Sequence, residues 1–152
     1  RGLNKMADNY SFGRYQVGLN HVGSYQASAR PFVKSEIAVP ASGASGATAV
    51  SVDFPSVTKF VTVRCDGDDA AGKDGSCIRV GFSGAGLGDV TNNFVRVYQS
   101  ASFSADFRVT KVFLMSDTGD AQTATVIAGL TNIPEVHLSG NWAGQLGVGG
   151  TA

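Results

Sequence analysis

The sequence predicts an all-β fold: about eight antiparallel strands in a two-sheet sandwich, jelly-roll-like, with an irregular N-terminal arm and C-terminal tail. Three observations carry this expectation. Short runs alternate apolar and polar residues, clusters of Gly, Ser, Asn and Asp separate those runs, and no stretch keeps a helical period. A chain of 152 residues fits one domain and can bury about two thirds of its unfolded surface. The 20 glycines sit between the periodic runs, and the hydrophobic fraction of 43% is that of a globular chain.

Residues 1–21 read as an extended arm, in which Tyr10, Phe12, Arg14 and Tyr15 lie among Gly, Asn and Gln without a period. Aromatic groups in such an arm need a surface to cover, either the protein's own sandwich or a neighbour, so these residues are candidates for protein interaction. The sandwich spans residues 22–134. VGSYQASA from Val22 reads as an edge or entry strand. FVKSEIAV follows, with Val33, Ser35, Ile37 and Val39 expected on one face. Pro40 and ASGASGA make a surface loop before TAVSVDF, where Val50, Val52 and Phe54 alternate with small or polar residues, and Pro55 closes that strand.

In VTKFVTVRC the inward set is Val57, Val61, Val63 and Cys65, with Thr58, Phe60, Thr62 and Arg64 opposite. CIRVGFS supplies Ile78, Val80 and Phe82 to the core, and NNFVRVYQS gives a further strand. In ASFSADFRV, Ala101, Phe103, Ala105, Phe107 and Val109 are expected inward. TKVFLMS reads as buried on both sides, and TATVIAGL aligns Ala124, Val126, Ala128 and Leu130. A Greek-key immunoglobulin-like sandwich is the alternative topology, but its Cys, Trp, Cys order is missing because Trp142 follows both cysteines. Residues 135–152 form an irregular tail, Gly-rich yet apolar, in which Trp142 and Leu146 pack either at home or on a neighbour.

Cys65 ends one strand and Cys77 begins the next, so a disulfide across the intervening loop is one reading. Strand parity opposes it, since Cys65 joins an inward set while Cys77 falls opposite to Ile78 and Val80. Two free thiols is the other reading. The loop between them carries Asp66, Asp68, Asp69 and Asp74, a weak calcium candidate. It departs from the EF-hand pattern, because Ala70 and Ala71 stand at ligand and turn positions and Cys77 replaces the bidentate Glu. A solvated loop tip is the favoured reading, and no metal or cofactor is expected.

Catalytic constellations are not assembled by the residues present. His21 and His137 lie in arm and tail, away from any recognisable nucleophile setting. GFSGAGLGD lacks the Lys-Ser/Thr of a phosphate loop, and its second glycine comes one residue too early for a nucleophile elbow. Asp53, Asp106, Asp117, Asp120 and Glu36 read as outward strand or turn positions, not as a carboxylate pair for glycoside hydrolysis. The expectation is a protein that is not an enzyme.

With 12 basic and 12 acidic side chains the chain has no global field to draw it onto nucleic acid, and none is expected as a direct partner. The distribution is uneven, since through Lys34 five basic residues meet a single acid, Asp8, and the remainder is acidic in balance. A basic arm on an acidic body suits contact with neighbouring copies or another protein. No stretch has the roughly 18 to 20 apolar residues of a membrane span, and the polar, aromatic N-terminus does not read as a signal peptide. Met6 followed by ADNYS is either an original start behind added residues, or Arg1 is a processing product.

NHVGSYQASARPFVKSEIAV, SVDFPSVTKFVTVR with CIRVGFS, and TKVFLMS followed by TATVIAGLTNIP resemble the small all-β virion structural proteins of tailed bacteriophages, marine or cyanophage-like, of the capsid-decoration and accessory kind. The likeness covers most of Val22 to Pro134 and rests on strand layout and on phrases such as VGSYQ, FPSVTKFVTV and GLTNIP. It implies a jelly-roll-like subunit, made in the host cytoplasm and located on the virion. It further implies assembly with other copies, as a trimer, on a major capsid or other virion protein. A second expectation, from a different class, is a carbohydrate- or receptor-binding sandwich of the fibre-tip or lectin kind, in which Tyr25, Tyr98 or Trp142 would stack on sugar rings. That function requires an aromatic and polar groups converging on one site.

Overall fold

The structure is a computed structural model that describes residues 18–20, 22–26, 28–42, 49–67, 77–88 and 92–138. Among the described residues a single helical turn, α1 (Gly23–Gln26), precedes eight strands: β1 (Arg30–Val39), β2 (Val50–Asp53), β3 (Thr58–Cys65), β4 (Cys77–Gly81), β5 (Val95–Tyr98), β6 (Ser102–Ala105), β7 (Lys111–Ser116) and β8 (Gln122–Leu130). They form two antiparallel four-stranded sheets, a front sheet ordered β1-β8-β3-β6 and a back sheet ordered β2-β7-β4-β5. The fold is the predicted all-β sandwich.

The pairing is nested. β1 pairs with β8, β2 with β7, β3 with β6 and β4 with β5, while β3–β8 and β4–β7 contacts complete the sheets. The two inner faces meet in one core that includes Val39, Val52, Val63, Ile78, Val80, Val112, Leu114 and Val126. Phe32 and Phe54 close it edge to face, with ring centroids 5.1 Å apart. Period two places the inward sets of β2, β4 and β8 as the sequence predicts, and Ala124, Val126, Ala128 and Leu130 are all buried.

Four segments depart from the simple alternation. VGSYQASA is not a strand; its first half turns as α1, with the Tyr25 and Gln26 amides bonded to the Val22 carbonyl at 3.0 and 3.2 Å. No residue of that turn is buried, so it has no apolar face to pair into a sheet. In β1, Lys34 faces Val126 and Ile37 faces Ala124, so three steps on β1 match two on β8. Glu36 takes a left-handed φ of 54° at this bulge. Parity inverts before it: Phe32 packs on the core, and Val33, expected inside with Ser35, points out and is 63% exposed.

A second bulge lies between Thr58 and Phe60 in β3. It turns Thr58 inward against expectation, where its hydroxyl donates to the Phe107 and Val109 carbonyls at 2.6 and 3.1 Å and so satisfies itself in the interior. Finally, ASFSADFRV is a strand only over Ser102–Ala105. β6 and β7 belong to different sheets, so the chain crosses between them after Ala105, leaving Phe107 exposed while Val109 re-enters the core.

β7 is covered on both faces, as its sequence predicts. Val112 and Leu114 enter the sandwich, and the other side is covered by the β4–β5 connection, whose 3-10 turn Ala85–Leu87 buries Leu87 fully. Gly81 permits that approach, since a Cβ there would lie 2.8 Å from Leu87 Cδ2. No helix among the described residues is long and apolar enough to cross a membrane.

Candidate functional site

The two outer faces of the sandwich differ in kind. On the back sheet Arg79 lies between Ile78 and Val80 and is 5% exposed beneath the β4–β5 connection. Its Nη1 donates to the Leu87 carbonyl at 2.9 Å and its Nε to Asp117 Oδ1. Asp117 Oδ2 accepts from Arg96 Nε at 2.8 Å, and the Phe94 ring lies 4.7 Å from the Arg79 guanidinium and 5.2 Å from that of Arg96. This network fastens the connection to the sheet. Sequence patterning treats Asp117 as a turn carboxylate, and no local signal pairs it with an arginine 38 residues away.

The front sheet is open. Register places Val33 opposite Ile127, Ile127 opposite Thr62 and Thr62 opposite Ser104, a row crossing all four strands on the outer side. Val33 and Ile127 are 63% and 40% exposed. In the next row Pro31 and Phe60 flank Gly129, where an added Cβ would overlap the Phe60 ring and stand 2.7 Å from Ala29 Cβ. The glycine thus lets an aromatic ring lie across the sheet surface. Polar groups border the strip: the Thr62 and Ser104 hydroxyls are 2.8 Å apart, and Arg64 Nε is 3.1 Å from Asp66 Oδ1.

Beside this face lies a groove of about 460 Å³, lined by Leu19, Asn20, Val22, Tyr25, Lys59, Asp106 and Arg108. The β3 bulge positions Lys59, and the extended exit from β6 sets Asp106 and Arg108 two residues apart. Two donors meet at the Leu19 carbonyl, the Tyr25 hydroxyl at 3.0 Å and Arg108 Nη1 at 2.9 Å. The Arg108 guanidinium also stands 5.8 Å from the Tyr25 ring centroid.

Of the residues singled out in the sequence, Tyr25 reaches this groove, whereas Tyr98 is exposed on the back sheet's β5. Tyr10, Phe12, Arg14, Tyr15, Trp142 and Leu146 lie outside the described residues, as do Asp68, Asp69 and Asp74. Asp66 pairs with Arg64 and accepts the Thr125 hydroxyl. Among the described residues no group of three or more His, Cys, Asp or Glu gathers in a way that could hold a metal. Cys65 is a free thiol and so carries no bridge to Cys77; it is fully buried in the front sheet, whereas Cys77 opens β4 in the back sheet. Burial pushes the Cys65 thiol pKa up, the neighbouring Asp66 charge adds to the rise, and a hydrogen bond from the Gly67 backbone opposes it.

No protein-family model matches the chain, and no curated protein matches it.

Proposed function

We propose that this protein is a non-enzymatic structural subunit of a virion, a capsid decoration or accessory protein that attaches to the particle and stabilises it through its sandwich surface and termini. The observation that carries the reading is the contrast between the two outer faces. The β7 and β4 strands of the back sheet are covered by the β4–β5 connection, leaving Val95 and Tyr98 exposed on its edge strand β5, while the front sheet offers Val33, Ile127, Pro31 and Phe60 beside a polar border. A contiguous apolar strip with a polar rim is the anatomy of a protein contact surface. The nested strand pairing supports the same reading, because pairing first strand with last and so inward is what a jelly roll requires, the architecture of many viral shell subunits and of lectins.

In this reading the partners are other copies of the chain, arranged as a trimer, and a major capsid or other virion protein. Contacts that are individually weak become durable when symmetry repeats them. Light scattering on the full chain tests it, alongside a variant carrying Val33→Glu and Ile127→Lys. Both substitutions fall on exposed positions, so the variant folds, as circular dichroism will verify. The expected result is a defined oligomer for the parent chain and a monomer for the variant. Identical monomeric masses for both would overturn the assembly reading.

A further inference from the structure

We infer that the groove beside the front sheet binds a neutral saccharide. The inference rests on the groove alone and is independent of assembly through the open sheet face. Its charges decide the ligand. Lys59 lines the groove but is already engaged by a partner, so the charged groups left to a ligand are Asp106 and Arg108, one of each sign. Both are exposed and stand two residues apart, yet they do not pair with one another. Arg108 is drawn aside instead: its Nη1 donates to the Leu19 carbonyl at 2.9 Å, and its guanidinium stands 5.8 Å from the Tyr25 ring centroid. The Tyr25 hydroxyl donates to the same carbonyl at 3.0 Å, so this wall of the groove is set before a ligand arrives and costs little to order. Asp106 is left with no hydrogen bond or ion pair among the described residues.

An acceptor and a donor held apart in this way call for a ligand that offers both kinds of group side by side without net charge. Asp106 presents two carboxylate oxygens that accept from adjacent hydroxyls, and Arg108 keeps the N–H donors that Leu19 does not use. Asn20, also exposed, donates and accepts through its amide. Vicinal hydroxyls, each a donor and an acceptor, satisfy all three. Val22, 65% exposed, and the Tyr25 ring add apolar surface against which the C–H groups of a pyranose pack. An amino-acid zwitterion also carries no net charge, but its two ions would meet exposed partners in water, where ion pairs contribute little. Hydroxyl contacts joined to apolar contact do not rely on that screened attraction. The volume of about 460 Å³ accommodates one or two rings.

Saturation-transfer NMR and titration calorimetry on the full chain provide the test. The probes are galactobiose, cellobiose and maltose, which arrange their hydroxyls differently, with digalacturonate and alanine as the acidic and zwitterionic counterparts. At least one neutral disaccharide should bind saturably, with transfer to its ring C–H protons. Digalacturonate should bind no tighter than that disaccharide, and alanine should not bind. Raising the salt from about 0.05 M to about 0.5 M should change the disaccharide affinity by less than about twofold, because no net charge is neutralised. Asp106→Ala removes an exposed, unpaired side chain, so it should leave the circular dichroism spectrum intact while weakening the disaccharide about tenfold, the loss of hydrogen bonds to a charged group. Asn20→Ala provides an independent second probe and should weaken it by a few-fold. Failure of all three disaccharides to bind saturably, tighter binding of digalacturonate, saturable binding of alanine, or an affinity unchanged in both variants would each overturn the proposal.

Discussion

Asp117 is the residue on which the back sheet's outer layer depends. It satisfies a guanidinium that is almost wholly buried, and removing one partner of such a pair leaves the other charge without compensation in a poor dielectric. Asp117→Asn should therefore cost about 3–5 kcal/mol in urea denaturation. Arg96→Ala, which removes the partner whose side chain is 50% exposed, should cost at most about 1 kcal/mol. Comparable losses in the two variants would refute this ranking. Cys65 gives a second prediction at the same scale. Its thiol pKa is raised in the folded state, so the folded chain keeps its proton at a pH where the unfolded chain has lost it. The thiol's contribution is thus fully present below the unfolded thiol value of about 8.5 and declines as pH rises above it. The urea midpoint should fall more steeply between pH 8 and pH 10 in the parent than in Cys65→Ala. Parallel slopes would rule out the thiol as the source.

At the level of elements, the bulges decide what lies on each face. FVKSEIAV contains apolar residues of both parities, and the sequence alone carries no mark of the extra residue that lets Phe32 and Ile37 both point inward. Ile37 and Val39 were legible as core, whereas Val33 was not legible as surface. β8 reads correctly throughout because no extra residue interrupts its inward set of Ala124, Val126, Ala128 and Leu130. The groove was partly legible in the same sense. Tyr25 suggests itself as a stacking aromatic and Asp106 and Arg108 as outward groups, yet their convergence depends on the turn of α1 and on the β3 bulge that delivers Lys59. Glu36 offers a direct test of the β1 bulge. A β-branched side chain strongly disfavours a left-handed φ of 54°, while glycine adopts it freely. Glu36→Val should be less stable than Glu36→Gly by about 1–2 kcal/mol. Equal thermal melting points for the two variants would remove the left-handed bulge from the account of β1.

Across the whole molecule, period two assigns faces and leaves neighbours undetermined, so the nested order β1-β8-β3-β6 over β2-β7-β4-β5 had to come from the structure. That order has a kinetic consequence. The first strand pairs with the last, Arg30 opposite Leu130, and β8 lies between β1 and β3, so β1 has no partner in the front sheet, and β3 only one, until the C-terminal part of the domain arrives. The innermost pair, β4 with β5, is the most local strand pairing, but it joins only four residue pairs and cannot bury a core alone. Most of the stabilising burial therefore waits on distant segments, and their loop-closure entropy is lost before the contacts repay it. Refolding from urea should be slow, on the order of milliseconds to seconds, as for other β-sandwiches dominated by non-local pairing. Substitutions in the β1–β8 seam, such as Ile37→Val, should then act chiefly on the unfolding rate, because that seam closes after the transition state. Stopped-flow fluorescence of Ile37→Val against the parent reads both rates. A refolding rate reduced in full proportion to the lost stability would place the β1–β8 pairing inside the nucleus and reverse the order of assembly argued from the topology.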